Sequence, residues 1–219
     1  MDARRSQTLL ALGIEHFVPR ALPVAVPGSD PAALDWEGLE RAVAGCTRCA
    51  LAATRRQTVF GVGDHAAAWL VVGEAPGADE DRQGEPFVGR AGQLLNSMLR
   101  AAGLERGQVF IANVLKCRPP GNRDPLPGEV SCCLPYLHRQ IALIAPRLIL
   151  CVGRIAAQNL LATDMPIGKL RGRRHVLAPF GTPVVVTYHP AYLLRSPGEK
   201  RKAWEDIRFA MEVARGSGA

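Results

Sequence analysis

The run Trp69-Leu70-Val71-Val72-Gly73-Glu74-Ala75-Pro76-Gly77 joins four apolar residues directly to a turn that contains glycine and proline. An unbroken apolar run bounded by turn residues is typical of a strand that is buried on both faces of a parallel sheet. Such sheets bind ligands beyond the carboxyl ends of their strands. The run therefore predicts an α/β fold with a functional site near Glu74, where the strand ends.

Three further apolar runs have the same character, and helical patterns lie between them. Strands are predicted at residues 69–72, 109–112, 148–152 and 183–187, and helices at residues 3–13, 35–44, 91–102, 127–145, 153–162 and 198–215. This alternation predicts a three-layer α/β/α sandwich with a central, mainly parallel four-stranded sheet.

The composition indicates one globular domain with an N-terminal extension. With 219 residues, 47% of them apolar, the chain can bury one sizeable core. Prolines at positions 19, 23, 27 and 31 mark a linker, so residues 1–34 are expected to form an extension and residues 35–219 the main domain. The apolar run at residues 9–14 is too short for a signal peptide or a membrane span, which predicts a cytoplasmic protein.

The charge of the chain favours a polyanionic partner. The formal net charge is +7, and basic residues cluster in or beside predicted loops at positions 55–56, 171–174, 195 and 200–202. Many basic proteins have only a solvated basic face, so the charge alone does not identify nucleic acid as the partner. Contacts of this kind with phosphates would supply affinity without sequence specificity.

Four cysteines predict a metal site. Cys46 and Cys49 form a C-x2-C pair, and Cys117 and Cys133 follow at a distance. In a reducing compartment clustered thiols favour metal binding over disulfides, and four thiolates suit zinc as well as an iron–sulfur cluster. Cys132 is a rival for the fourth position that helix phase does not exclude, whereas Cys151 lies in a hydrophobic strand and is expected in the core.

Three polar residues follow three predicted strands. Glu74, Asn113 and His189 each come where a strand ends, so a parallel sheet brings them to one rim. The loop after Glu74 contains Glu80 and Phe87 among several glycines, which allow close approach of the backbone to a ligand. Phe87 can be a core residue or a stacking platform in a pocket, and Asn113 can simply cap its strand.

Several motifs together closely resemble the iron–sulfur uracil-DNA glycosylases known as family 4. They are Gly73-Glu74-Ala75-Pro76-Gly77, Glu80-Asp81 with Pro86-Phe87-Val88-Gly89, Asn113, Asn122-Arg123 with Pro125, Tyr188-His189-Pro190-Ala191-Tyr192-Leu193-Leu194-Arg195, and the four cysteines. The resemblance covers residues 46–209 and several motifs in the same order. It implies that residues 35–219 are a uracil-DNA glycosylase-like catalytic domain.

The resemblance also implies a [4Fe-4S] cluster held by Cys46, Cys49, Cys117 and Cys133. Cys133 is preferred over Cys132 because its spacing from Cys117 resembles that of the family. Nothing in the sequence indicates redox chemistry, so the expected role of the cluster is to tie two loop regions together.

The implied reaction gives each motif a role. An enzyme that removes uracil from DNA must first rotate the base out of the stack. His189 is then the expected donor to uracil O2, where negative charge develops. Glu74 is the leading candidate to position water or stabilise the positive sugar, with Glu80 as its rival. Asn113 is expected to read N3–H and O4, with Phe87 stacked on the base and the backbone of Ala75 beside it.

Two loops are expected to contact the DNA. The resemblance implies that Asn122 lies near the base and that Arg123 contacts the DNA strand. Leu193 and Leu194 are expected to fill the gap left by the flipped base, with Arg195 on a phosphate. An alternative interpretation of the same leucines is an amphipathic helix packed on the core.

The predicted function is therefore removal of uracil from single- or double-stranded DNA, which leaves an abasic site. A relative that traps the sugar through a loop histidine is disfavoured, because no histidine lies between Cys117 and Pro125. A non-catalytic or redox-sensing DNA-binding module with a metal cluster is disfavoured because Glu74, Asn113 and His189 are all present. A phosphate-ester hydrolase is disfavoured because the glycine-rich loop has no Walker lysine. A monomer near the nucleoid is expected, with a replication or repair protein as a candidate partner of the extension.

Overall fold

A computed structural model of the chain describes residues 30–216. Within them the chain forms six strands and eight helices. Residues 1–29, including the predicted helix at 3–13, and residues 217–219 lie outside the described part. No helix among the described residues is long and apolar enough to span a bilayer.

The strands form one mostly parallel sheet. They are β1 (Val62–Gly63), β2 (Trp69–Gly73), β3 (Phe110–Asn113), β4 (Leu148–Val152), β5 (His175–Leu177) and β6 (Thr182–Thr187). Their order is β1-β3-β2-β4-β6-β5. The four central strands are parallel, and the two short edge strands are antiparallel to their neighbours. The carboxyl ends of β2, β3, β4 and β6 therefore share one rim.

The helices pack on both faces of this sheet. They are α1 (Trp36–Ala44), α2 (Ala78–Gln83), α3 (Arg90–Ala101), α4 (Pro127–Ile144), α5 (Arg154–Leu160), α6 (Ile167–Leu170), α7 (Pro190–Arg195) and α8 (Lys200–Gly216). One face carries α1, α4 and α5, and the other carries α3 and α8. This is the predicted three-layer sandwich.

Successive residues of each central strand belong to different cores. In β2, Leu70 and Val72 pack beneath α4 and α5, whereas Val71 packs beneath α3 and α8. All three are fully buried. Burying an aliphatic side chain of this size contributes about 1.5–3 kcal/mol, so both layers hold the strand in place. Continuous apolar runs were therefore the correct sign of strands that are covered on both faces.

The prediction of four mainly parallel strands is confirmed, and the structure adds two edge strands. β1 and β5 are two and three residues long, too short to produce a recognisable pattern. The segment after His189, expected as a loop, forms helix α7 instead. Pro190 occupies its first position, and the His189 ring caps its N-terminus.

Candidate active site and four-thiolate site

A cavity of about 470 Å³ lies at the carboxyl ends of β2, β3 and β6. Nine of the residues predicted to act on the base or the DNA line it: Glu74, Ala75, Glu80, Phe87, Asn113, Asn122, Arg123, His189 and Arg195. Parallel strand ends bring these residues together from five separate segments. The cavity is the size of a small-molecule site.

His189 is held as a neutral imidazole. Its Nδ1 accepts a hydrogen bond of 3.1 Å from the backbone N–H of Ala191, at the start of α7. Burial lowers the pKa of His189 to about 4, and the nearby Arg195 guanidinium lowers this pKa further, while Glu80 opposes the shift. A ring that accepts at Nδ1 carries its proton at Nε2, so His189 offers a neutral N–H donor.

Asn113 presents an unpaired amide oxygen inside the protein. The residue is 2% exposed, and its Oδ1 is buried without a hydrogen-bond partner among the described residues. An unsatisfied buried acceptor costs about 1–3 kcal/mol, so such an atom in a cavity marks a place for a ligand donor. The strand-capping interpretation does not account for this free oxygen.

Gly73 leaves space for the side chains of Asn113 and Phe87, which would hold a flat ring. A Cβ atom at this position would lie 2.4 Å from Oδ1 of Asn113 and 2.6 Å from Cζ of Phe87. Sequence reasoning quoted Gly73 within a motif but gave it no role. Only the packing across β2 and β3, where Gly73 and Asn113 are paired, reveals this requirement.

Phe87 adopts a strained backbone to place its ring. Its φ angle is 55°, a left-handed conformation that is uncommon for an aromatic residue. Gly92 permits this turn, because a Cβ there would lie 1.7 Å from the Phe87 carbonyl oxygen. The ring is 7% exposed and stacks near His189, with centroids 5.7 Å apart and an interplanar angle of 28°. Backbone strain at a cavity wall is typical of a functional position.

Glu74 and Glu80 differ sharply in their surroundings. Burial raises the pKa of Glu74 to about 7; the Asp124 carboxylate raises this pKa further and Arg154 lowers it. Asp124 also lines the cavity and forms an ion pair of 3.1 Å with Arg154. Sequence reasoning missed Asp124 and Arg154, because no spacing rule joins a loop to the start of α5.

Glu80 is occupied by the backbone. Its carboxylate accepts hydrogen bonds from the N–H groups of Gly77, Val88 and Gly89, at 3.1, 3.0 and 3.3 Å. These contacts fasten the start of α2 to the turn that follows Phe87. Glu80 therefore holds the loop in place, whereas the Glu74 carboxylate accepts no such backbone hydrogen bond from residues 30–216.

The loop before α4 is braced from within. Arg123 makes a bidentate ion pair with the buried Glu129, at 2.9 and 2.6 Å, which lowers the pKa of that carboxyl. The Asn122 side chain accepts from Arg118 Nε at 2.8 Å. Asn122 and Arg123 thus line the cavity with part of their hydrogen-bonding capacity already used.

Helix α7 separates its two leucines. Leu193 is 1% exposed and packs in the protein away from the cavity, whereas Leu194 is half-buried. Arg195 is exposed at the cavity edge. The structure thus brings Arg195 to the site, keeps Leu194 at the surface and places Leu193 in the interior.

The predicted metal ligands surround a second, small and apolar cavity. It is lined by Cys46, Cys49, Cys117, Cys132 and Cys133. Cys46 and Cys49 precede β1, Cys117 follows β3 and Cys133 lies in α4. All are free thiols. Among residues 30–216, no three histidine, cysteine or acidic side chains are arranged closely enough to hold a single metal ion.

Three hydrogen bonds point at the sulfur atoms of the predicted set. Arg55 Nη1 donates to Cys117 Sγ at 3.1 Å, and the backbone N–H of Lys116 donates to Cys133 Sγ at 3.1 Å. The Tyr136 hydroxyl hydrogen-bonds to the Cys46 side chain. Cys132 differs, because its Sγ contacts the Arg48 carbonyl at 3.3 Å.

This arrangement suits a thiolate-bound group. Burial raises the pKa of Cys133 to about 12 and also raises the pKa of Cys117, so both are thiols until a metal displaces their protons. Donors directed at sulfur, together with the charge of Arg55, would then compensate the thiolate charge. The donor set therefore fits the implied group.

Comparison with known proteins identifies the family and agrees with the fold. The model of the uracil DNA glycosylase superfamily matches residues 60–208. A type-4 uracil-DNA glycosylase from Archaeoglobus fulgidus is 44% identical over 183 residues, 81% of this chain and 92% of that protein. The type-4 enzyme from Thermotoga maritima is 40% identical, over 79% of this chain and 91% of that protein.

A more distant similarity extends to another branch. A type-5 uracil-DNA glycosylase from Thermus thermophilus is 32% identical over 149 residues, 60% of this chain and 68% of that protein. The type-4 proteins are thus more similar and are matched over nearly their whole length. These matches show that the chain belongs to the type-4 uracil-DNA glycosylases of the uracil-DNA glycosylase superfamily.

Proposed function

We propose that the protein hydrolyses the N-glycosidic bond of uracil in DNA, releasing uracil and leaving an abasic site. The observation that carries the proposal is the unpaired, buried Oδ1 of Asn113 in a cavity that also holds a neutral His189. Two proteins similar to this chain bear the name of that activity. A base rotated out of the DNA stack would bind in this cavity.

Asn113 would read the base. Its free oxygen accepts from uracil N3–H, and its amide nitrogen donates to O4. Cytosine presents the opposite pattern at these two atoms, so it would leave a buried amide group unpaired. Phe87 provides the aromatic face for stacking, and the backbone at Ala75 lines the cavity beside it.

His189 would stabilise the leaving group. As the glycosidic bond breaks, negative charge accumulates on uracil O2, and the Nε2–H of a neutral imidazole can donate to it. A fixed donor in a dry site does not need to reorganise during the reaction, and one such donor is worth about 10²–10³ in rate. The Ala191 N–H keeps the ring in the required tautomer.

Glu74 would act on the sugar side. Its carboxylate is free of backbone ties and can accept a proton from water or stabilise the positive sugar. A carboxyl with a pKa near 7 is poised for either role at neutral pH. Glu80 would support the reaction indirectly, through the loop that carries Phe87.

The DNA would lie across α7 and the loop before α4. Leu194 and Arg195 are available at the surface, to fill the stack and to bind a phosphate. Leu193 would support this helix from below, since its contact with DNA would require α7 to move. Asn122 and Arg123 would close the cavity from the opposite side, with Arg123 held by Glu129.

Cys46, Cys49, Cys117 and Cys133 would hold a [4Fe-4S] cluster, the cofactor that resemblance to the family implies. The support is four free thiols around one apolar cavity with donors directed at three of the sulfurs. When bound, the cluster supplies a structural tie between distant segments of the chain. We also propose a monomer in the cytoplasm, close to the nucleoid, and a replication or repair protein as the partner of residues 1–34.

The test is direct. The purified protein is incubated with an oligonucleotide that contains one uracil and with the same strand carrying cytosine, and abasic sites are then cleaved with alkali. We expect cleavage at uracil alone, on single and double strands. Intact uracil strands after incubation with folded, cluster-loaded protein would contradict the proposal. Strands with hypoxanthine or xanthine would define how selective the pocket is.

A further inference from the structure

A buried lysine lies between the two sites. Lys116 is 1% exposed, follows the end of β3 and directly precedes Cys117. Lysine is rarely buried to this extent without an ionic partner, because removing an ammonium group from water is costly. A residue used only for filling would be apolar, so this side chain calls for a specific explanation.

The side chain of Lys116 is attached to the residue that would read the base. Its Nζ donates to the backbone carbonyl of Asn113 at 3.0 Å and to Oε1 of Gln140 at 2.7 Å. Gln140 lies in α4, and its Nε2 donates to the Phe60 carbonyl at 3.0 Å. The last residue of β3 is thereby fixed to the helix on one face of the sheet.

The backbone of Lys116 is attached to the four-thiolate site. Its N–H donates to Cys133 Sγ at 3.1 Å, and its carbonyl accepts from the Val59 N–H at 2.8 Å. One residue thus contacts a predicted metal ligand through its main chain and the predicted base reader through its side chain. These two contacts can be broken separately by substitution.

We propose that Lys116 is a positioning residue that ties Asn113 to the four-thiolate site and so holds the amide in the geometry that binds uracil. The inference rests on the proposed function. Among the described residues, none donates a hydrogen bond to Oδ1 of Asn113, and this atom must stay free for the base. The orientation of Asn113 therefore depends on its backbone, which is paired with Gly73 of β2 and whose carbonyl is held by Lys116. A small displacement of a reading group weakens binding without altering the group itself.

Lys116→Met tests this inference, with Cys151→Ala as the control. Methionine keeps the bulk of the side chain and the backbone N–H to Cys133, but removes the donor to Asn113. Cys151 is equally buried, in β4, and its truncation reports what a loss of core packing does on its own. Three properties are measured in holoprotein: iron content, melting temperature and affinity for free uracil by calorimetric titration.

We expect Lys116→Met to retain iron and to bind uracil roughly 10- to 100-fold more weakly, as is typical when a supporting contact behind a ligand-binding group is lost. Cys151→Ala should retain both iron and uracil affinity. Lys116→Gln, which restores an N–H donor without the charge, should bind uracil more tightly than Lys116→Met. This second variant also serves if Lys116→Met does not fold.

Two results would overturn the inference: uracil affinity of Lys116→Met equal to that of the natural protein, or equal affinities in the Met and Gln variants. Uracil release from DNA by the natural protein is assayed in parallel. Absence of that release would count against the proposed function, whereas release together with an unchanged Lys116→Met variant counts only against the role of Lys116.

Discussion

The Ala191 backbone N–H donates to Nδ1 of His189, two residues earlier, so the helix that begins there sets the tautomer of the ring. The contact leaves Nε2 as the protonated nitrogen. Burial lowers the pKa of the same ring to about 4, which keeps it neutral throughout the physiological range. The positive end of the helix dipole is unfavourable for an imidazolium, so the position of His189 at the helix N-terminus also favours the neutral ring.

Replacing the His189 ring should therefore lower the rate of uracil release without disturbing the fold. We expect His189→Asn to lower the rate of uracil release by about 10²–10³, the value of one fixed donor to a developing negative charge. The visible absorbance of the protein should not change. His175→Asn is the matched control, because His175 lies in β5 away from the cavity and its ring hydrogen-bonds to the Leu170 carbonyl. Equal rates for the two variants would remove His189 from the proposed mechanism.

The pH dependence should report Glu74. Because burial raises the pKa of Glu74 to about 7, its carboxylate is lost as pH falls through 7. We expect kcat/KM to decline about tenfold per unit below that pH, while His189 stays neutral. Glu74→Gln should be slow and should lack this ionisation. An acid limb that persists unchanged in Glu74→Gln would assign it to another group.

The same carboxyl should make the protein less stable at high pH. The folded pKa of Glu74 lies above its unfolded value of about 4.3, so the folded state binds more protons between these values and stability falls as pH rises through them. Allowing for partial exposure, Glu74→Gln should raise the free energy of unfolding at pH 8 by about 1 kcal/mol. Denaturant unfolding at pH 4 and pH 8 checks this, with the gain expected only at the higher pH.

Gly73 should tolerate no side chain. Alanine there would press on Asn113 and Phe87, so we expect Gly73→Ala to lower stability by about 1–3 kcal/mol and to weaken uracil binding. Gly168→Ala in α6 is the control, because its Cβ would meet nothing within 4 Å. Unfolding curves and uracil titrations of the two variants give the comparison. If Gly73→Ala leaves both the stability and the uracil affinity unchanged, the prediction of a steric clash at this position is wrong.

Adjacent cysteines should behave differently. Cys133→Ala is expected to lose most of the bound iron, whereas Cys132→Ala should keep it, because only Cys133 receives the Lys116 backbone N–H. Iron content and visible absorbance of the two purified variants distinguish them. Retention of iron by Cys133→Ala, with loss in Cys132→Ala, would reverse the ligand assignment.

The rim of the sheet could be predicted because its signals are local. Each continuous apolar run produced a buried parallel strand, and a polar residue directly after a strand must lie at its end. That is why Glu74, Asn113 and His189 could be placed from the sequence. Burial on both faces imposes this pattern on any sequence that folds in this way.

Other features depend on contacts that no spacing reveals. Glu74 and Glu80 were equivalent in the sequence and differ only because three backbone N–H groups reach Glu80. Whether Leu193 points inward depends on the helix that His189 caps. In the sequence, Lys116 resembles any basic residue of a loop. Only the structure shows that its Nζ donates to the carbonyl of Asn113, the last residue of β3.

The positions of the cysteines along the chain have a consequence for folding. A group that joins Cys49 to Cys117 closes a ring of polypeptide, and this ring contains Glu74, Glu80, Phe87 and Asn113. Closing so long a ring removes conformational entropy chiefly from the unfolded chain. The wall of the cavity that these residues form would then have few open states. His189 lies outside the ring, and only the position of β6 in the sheet brings it to the same cavity.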